Sequence, residues 1–476
     1  MNRKVDAVVI GSGAAGSVMA YKLACRGMKV AVVERGVRQD PQTFQHDELA
    51  MFPRLYKQGG LQTTDDHDIT IAQGATVGGS TVINNAIWLR ADLDRVLPDW
   101  ERAGATVPKA ALDLAYAEIE RALHVAPLLP TLANKGSDVF LRGCQALGIP
   151  AEYLENNRDT CIGCGWCNYG CKYNRKTSML VTYIPWAEAR GAEVLDQCEN
   201  VTILTRGNIA TGVQLFRQGI AVVIEAERIV VCAGAIGSSE VLLKSGITLE
   251  ERVGQGLHVL GGLFVVAETE EVVDGFDGIG LTCVARASDE YVIESYFAPP
   301  VVFSLSLGGW FLTHFRRMQR YRYFADAGVM VGTDPVGRIA LDKKGRVRIR
   351  LEFGDRDLAR LRQGIRRLSE IYFAGGAIRV IPATYKLLEF NREDELDLID
   401  EQILRADDLL LGSAHPQGGN SMSEDPRKGV VGNDFAVHGY QNLFVVDASV
   451  FPTNIWANCQ ATVMAMAHYA SSFVEC

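Results

Sequence analysis

No apolar stretch of this chain is long enough to cross a bilayer, so a membrane-spanning helix is not expected. Positive charge is also in short supply. With 48 Lys and Arg against 57 Asp and Glu, the net charge is −9, which argues against a nucleic-acid partner. Repeats and low-complexity tracts are missing, which excludes solenoids and repeat arrays. Met1 leads within a few residues into an apolar strand, so no secretory leader is expected ahead of the fold. The expected location is cytoplasmic, with peripheral membrane contact left open. What the chain does have is length, glycine and cysteine. Its 476 residues exceed one ordinary core, and two or three domains are expected. Eleven cysteines are many for a reducing compartment, and four of them fall between Cys161 and Cys171.

The strongest local signal lies between Val5 and Arg35. An apolar run reads as a buried parallel strand. Gly11, Gly13 and Gly16 follow in G-x-G-x-x-G spacing, then a helix beginning at Ala14 and Ala15, then a second apolar strand ending at Glu34 and Arg35. Gly11 permits a tight turn, Gly13 a close approach of pyrophosphate, and Gly16 close packing of helix on strand. The helix N-terminus favours phosphate charge, and Glu34 can accept from a ribose hydroxyl. Strand, glycines, helix, strand and acid in this order predict an ADP-containing cofactor.

Further along, Gly78, Gly79, Ser80, Asn84 and Asn85 belong to a glycine-rich segment, and residues 110–126 carry helical periodicity. Residues 200–233 read as a meander with turns at Gly207-Asn208 and Arg217-Gln218-Gly219. It ends in a buried strand that runs into a helix start at Ala233 and Gly234, a second corner suited to phosphate. Residues 442–447 read as a buried strand ending at Asp447 and Ala448, and Ala461 to Phe473 as a helix. The fold class predicted is α/β (α+β overall): a Rossmann-like nucleotide-binding domain with an inserted substrate domain built on an antiparallel sheet and helices. The nucleotide domain takes residues 1–90, 191–260 and 426–476. The substrate or cap domain takes 91–190 and 261–425, including the Cys-rich loop 161–171.

At this point the chain resembles the glucose–methanol–choline (GMC) flavin oxidoreductases. Gly78 to Asn84 looks like the family's first signature and Val231 to Ile247 like its second. His415-Pro-Gln-Gly-Gly419 looks like the active-site histidine motif. Val437 to Pro452, with Asp447, is similar to the segment closing on the flavin, and Asn458 to Thr462 to the motif of the second catalytic residue. The resemblance implies FAD as cofactor and oxidation of an alcohol to a carbonyl, with His415 as general base and Asn458 as its orienting partner. The chemistry of the residues agrees, since histidine titrates near neutrality and a base is needed for the hydroxyl proton. His258, His438 and His468 are expected to be structural. Alternatives are a non-oxidative flavoenzyme (isomerase, hydratase or lyase), a reductase, or an electron-transfer flavoprotein.

Cys161, Cys164, Cys167 and Cys171 follow C-x2-C-x2-C-x3-C, the spacing of bacterial ferredoxin loops that bind a [4Fe–4S] cluster. Lys172 stands where those loops carry proline, and Cys198 is a candidate remote thiol. Zinc is the alternative metal, and reduced or disulfide-paired structural thiols are a third reading. Some GMC members acting on long-chain alcohols or sterols look similar here, with a Cys-rich stretch before a segment like Lys176-Thr177-Ser178. A cluster near the flavin would carry electrons out singly, to a redox partner protein or quinone, and would favour a dehydrogenase over an oxidase.

Two features bear on substrate and partners. Residues 296–315 are strongly apolar and are followed by Arg316, Arg317, Arg320 and Arg322. Such a segment either packs inside or lies on a membrane surface and admits a lipid-like substrate. Residues 321–380 look like the corresponding region of long-chain-alcohol oxidases, which favours a bulky apolar alcohol over a sugar. A second basic run places Arg360, Arg362, Arg366 and Arg367 on a helix opposite Leu358, Leu361, Ile365 and Leu368, an amphipathic surface helix where an acidic electron-transfer protein could dock.

Overall fold

A computed structural model describes residues 2–474; Met1, Glu475 and Cys476 lie outside the described residues. The apolar run at the start forms the strand Asn2–Ile10, at the middle of a seven-stranded sheet. It pairs in parallel with Val30–Val33 on one side and with Ile220–Val231 on the other. Glu193–Leu195 extends the parallel set at the far edge. The meander read from the sequence is present as Cys198–Arg206, Ile209–Arg217 and Ile220–Val231, joined antiparallel.

The strand Ile220–Val231 changes partner along its length. Its first half pairs with the meander, and its last residues, Ile229–Val231, pair in parallel with Leu443–Val445 from near the other end of the chain. The helix Ala14–Cys25 and the late helix Gln460–Ala470 share one apolar core with this sheet. Val8, Val9, Val230 and Val231 are fully buried there, as expected for a parallel sheet covered on both faces.

The second sheet has ten strands and is built around the long strand Gln255–Thr269. Phe324–Gly332, Ala377–Pro382, Gly337–Leu341 and Leu411–Gly419 all pair with it antiparallel. Val292–Tyr296 pairs with Phe324–Gly332. Side chains alternate across these strands, so the two faces have separate roles. Leu263, Val265, Ala267, Ala325, Ala327, Val329 and Ile293 pack with Leu361, Ile365, Leu368 and Ile371 of the helix Asp355–Ala374. The opposite face carries Leu260, Gly262, Phe264, Val266, Asp326, Gly328, Met330, Glu294 and Tyr296, which stand opposite one another in the ladders. Phe264, Tyr296 and Met330 stay partly accessible in the middle of the sheet, so this face borders open space.

One irregularity decides where the histidine motif points. Gly412 stands opposite Gly262, but the residue opposite Leu260 is His415, one position later than an unbroken ladder allows. The extra residue is a β-bulge, a device that re-aims a side chain. Leu411 belongs to the core face, whereas His415 is turned to the face of Glu294. Ser413 holds the bulge: its hydroxyl donates to the Leu260 carbonyl at 2.8 Å and accepts the His415 amide at 3.0 Å.

Candidate active site

The glycine fingerprint forms a cradle whose walls are backbone. Gly11 has φ +102°, and a Cβ there would lie 2.5 Å from the Cys232 carbonyl oxygen. A Cβ on Gly16 would lie 2.0 Å from the Gly11 oxygen, so helix and strand meet here only without side chains. Gly13 faces open space. Gly79 backs onto it, its Cβ position 2.8 Å from the Gly13 Cα, so the two glycine-rich segments touch. Ser12 ties them together. Its hydroxyl accepts the Gly78 amide at 3.0 Å and donates to Glu34 at 2.7 Å. Glu34 also takes the amides of Ser12 and Gly36, so it fixes the loop as well as standing at the expected position for a ribose.

The other predicted cofactor residues gather nearby by two further routes. Gly234 opens the helix Gly234–Lys244 beside Ala233, and its amide donates to Asp447 at 2.9 Å. Asp447 also accepts from Ser238 at 2.5 Å and from the Ser449 amide at 2.8 Å. Burial raises the Asp447 pKa, and these donors offset it. Ala448 begins the short turn that follows. The Asn84 side chain bonds Gln460. The Gly74 amide donates to Ser80 Oγ at 3.0 Å. Asn85 Oδ1 is buried without a partner. Arg35 is half-exposed and pairs with Glu240 at 3.0 Å.

His415 and Asn458 come together, with 3.3 Å between His415 Nε2 and Asn458 Nδ2. A third residue, not singled out in the sequence, completes the group: Glu294, whose carboxylate accepts from Asn458 Nδ2 at 3.4 Å. Burial pushes the His415 pKa down to about 4 and the Glu294 pKa up to about 7. The imidazole is therefore neutral near pH 7, and with Asn458 donating to it, Nε2 carries a lone pair. His415 Nδ1, Asn458 Oδ1 and Glu294 Oε1 are all buried without partners. Asn458 Oδ1 and Glu294 Oε1 belong to side chains in contact, and buried polar atoms left unsatisfied are expensive unless a ligand meets them. The signal that could have found Glu294 is an acid in the middle of the apolar strand Val292–Tyr296.

The three histidines expected to be structural all have local partners. His258 is fully buried with Nδ1 2.9 Å from the Gly256 oxygen, His438 bonds the Ser423 carbonyl, and His468 pairs with Glu118.

The four clustered cysteines line one small pocket with Arg158, Trp166 and Lys176. The Gly163 amide points at Cys161 Sγ, and the amides of Arg175 and Lys176 point at Cys171 Sγ, at 3.2–3.4 Å. Burial raises the Cys161 and Cys164 pKa values. Burial also opposes ionisation of Cys167, but Arg158 and Lys176 outweigh it and hold its pKa below the usual thiol range. Lys176 Nζ is buried and bonds the carbonyls of Val82, Asn84 and Cys167, which fastens this loop to the Gly78–Asn85 segment. Among the described residues no group of three or more His, Cys, Asp or Glu is placed to hold a single metal ion, so the geometry lends zinc no support. Cys198 is buried in the first sheet's core, bonded to local carbonyls, and is not among the residues lining this pocket.

Residues 296–315 form the end of one strand and two short helices, Pro300–Ser306 and Phe311–Met318. Phe297, Phe303 and Leu307 pack inside, but Trp310 is 75 % and Phe311 91 % exposed, with Leu305, Leu312 and Phe315 beside them. The expected basic cluster is mostly neutralised. Arg317 is buried against Glu389 and the Gly308 carbonyl, Arg320 pairs with Glu268 and Arg322 with Asp274. The second basic run is paired in the same way. Arg360 is buried near Asp357, Arg362 caps the Ile403 carbonyl, Arg366 meets Asp397 and Asp400, and Arg367 meets Glu370, which leaves little free charge for an acidic partner. Among the described residues no helix is long and apolar enough to cross a membrane.

Comparison with known proteins gives a consistent result. Residues 5–260 and 333–467 match the N- and C-terminal family models described as GMC oxidoreductase. An uncharacterised GMC-type oxidoreductase of Mycobacterium tuberculosis is 28 % identical over 98 % of this chain and 75 % of its own length. A long-chain-alcohol oxidase of Arabidopsis thaliana is 26 % identical over 98 % of this chain and 67 % of its own. Among solved structures, a variant of the formate oxidase of Aspergillus oryzae RIB40 superposes with a TM-score of 0.77 at 17 % identity, covering 99 % of this chain and 98 % of that one, which speaks to the fold.

Proposed function

This chain belongs to the GMC oxidoreductase family, and from that membership we propose that it oxidises an alcohol to a carbonyl with FAD as cofactor. The observation that carries the reading is the His415–Asn458–Glu294 group with its three unpartnered buried atoms. The cradle suits FAD: Gly13 is open to a pyrophosphate, and Gly11, Gly16 and Gly79 admit no side chain. FAD bound there supplies the hydride acceptor. On substrate binding the Asn458 N–H that points at His415 Nε2 turns to the substrate oxygen, which frees the Nε2 lone pair to take the hydroxyl proton. Glu294 acts through Asn458, orienting the amide and favouring the imidazolium that forms. Phe264, stacked on Tyr296 with centroids 5.0 Å apart, and Met330 offer an apolar wall. That wall suits a bulky, largely apolar alcohol, and the Arabidopsis relative's name points the same way. The exposed Trp310–Phe315 face suits peripheral contact with a lipid surface that would deliver such a substrate.

The direct test is anaerobic flavin reduction by a panel of alcohols. His415→Ala should slow it roughly a hundredfold or more, the usual scale for a lost general base. Unchanged kinetics would remove His415 from the mechanism.

A second reading concerns the exit of electrons. The cysteine run keeps the spacing of an iron–sulfur loop, but the pocket the four thiols line has room for only about 10 Å³ and the thiols do not converge, so the geometry favours neither a cluster nor zinc and the question goes to experiment. An absorption spectrum of anaerobically purified protein, before and after dithionite, tests it. A broad bleaching shoulder beneath the flavin bands supports a cluster and a protein or quinone acceptor. Flavin bands alone assign the cysteines to structure and return oxygen to the list of acceptors.

A further inference from the structure

Asp326 is the most isolated polar group on the active face of the second sheet. It is 2 % exposed, and neither carboxyl oxygen has a hydrogen-bond partner. In the ladder it stands opposite Tyr296 on one side and Val266 on the other. Directly opposite residues share a face, so Asp326 lies on the face of Glu294 and Phe264. Glu294 is opposite Gly328, which makes Asp326 its diagonal neighbour, roughly 7–8 Å away. Between them Gly328 leaves space: a Cβ there would have only ordinary contacts with the Phe264 ring. On the far side, Val266 and Phe324 belong to an apolar cluster with Phe303 and Ile381. Burial keeps the Asp326 carboxyl protonated well above the usual range, and the nearby Ala327 amide, too poorly placed to make a hydrogen bond, offsets this only in part. A protonated carboxyl offers one donor and one acceptor, the complement of a hydroxyl. The apolar surroundings penalise an ion pair.

We propose that Asp326 is a specificity-determining residue that binds a second hydroxyl of the substrate, one set apart from the reacting carbinol by the diagonal between Glu294 and Asp326. The substrate is then a mostly apolar alcohol with a distal hydroxyl, not a plain alkanol. The inference rests on the alcohol-oxidising reading of His415 and Asn458.

The test uses the flavin-loaded protein and measures anaerobic flavin reduction by α,ω-diols from butane to octane, by the matching 1-alkanols and by the matching amino alcohols. The wild type should prefer a diol of suitable length over its alkanol by roughly tenfold in kcat/KM, the scale of one hydrogen bond to a buried group. Asp326→Leu should abolish that preference while alkanols still reduce the flavin. It should also match or exceed the wild type in thermal stability, because it removes an unsatisfied buried acid; a merely structural carboxylate predicts the reverse. An equal diol-to-alkanol ratio in both proteins, or amino alcohols outrunning diols in the wild type, would overturn the proposal. Failure of every alcohol to reduce the flavin would instead sink the alcohol-oxidising reading beneath it.

Discussion

His415 stands opposite Leu260 in the ladder, in the place an unbroken ladder would give to Ala414. The motif residue reaches the active face only because one extra residue is accommodated between Gly412 and His415. Ser413→Ala removes both bonds that hold the bulge, so the ladder can slip to the regular pairing that puts Ala414 opposite Leu260 and turns the histidine toward the core. The expected outcome is a protein that keeps its flavin absorbance and loses at least a hundredfold in flavin reduction by alcohol. Retained activity would mean that the bulge does not aim the base.

Glu294 should leave its mark on the pH profile. Its carboxyl is held neutral up to about pH 7 by burial. As pH rises through that value it gains a negative charge next to the group where the imidazolium forms. The rate of flavin reduction should therefore rise through a limb near pH 7, and Glu294→Gln should flatten that limb. Stability has the opposite sign. The folded state keeps this proton where the unfolded chain loses it, so Glu294 costs stability as pH climbs from the ordinary carboxylate range to about 7. The Gln variant should melt higher than the wild type at pH 8 and show no such gain at pH 4. Melting curves and stopped-flow traces at matched pH check both.

Gly16→Ala should yield a colourless protein. The added methyl would lie 2.0 Å from the Gly11 oxygen, which forces the first helix off the first strand and spoils the cradle. Flavin content per chain after purification reads this directly, and full occupancy would show that the corner can yield.

The exposed Trp310 and Phe311 should matter for lipid contact and not for chemistry. Trp310→Ser with Phe311→Ser should lower co-sedimentation with phosphatidylglycerol-containing vesicles several-fold and leave reduction by a water-soluble alcohol unchanged. Equal sedimentation of both proteins would assign this face elsewhere.

The parts of this site that could be read from the chain alone are those set by local spacing. Gly11, Gly13 and Gly16 act within one strand–turn–helix unit, and the meander's turns announce themselves through Gly207-Asn208 and Gln218-Gly219. Glu294 and Asp326 show in the sequence only as acids inside apolar strands; their meaning comes from which residues lie across the ladder, and pairing over such distances leaves no local periodicity. The bulge before His415 was hidden for the same reason. The arginines after Phe315 and along Asp355–Ala374 were misleading because sequence shows a positive charge and not the carboxylate that folds against it.

The late strand Leu443–Val445 and Asp447 complete a corner whose other half, Gly234, is made much earlier, and whose fingerprint glycines are made first of all. During synthesis the nucleotide cradle therefore waits, unfinished, for nearly the whole polypeptide to appear. Cofactor capture becomes a closing event of maturation, a checkpoint that a chain truncated before Leu443 cannot pass.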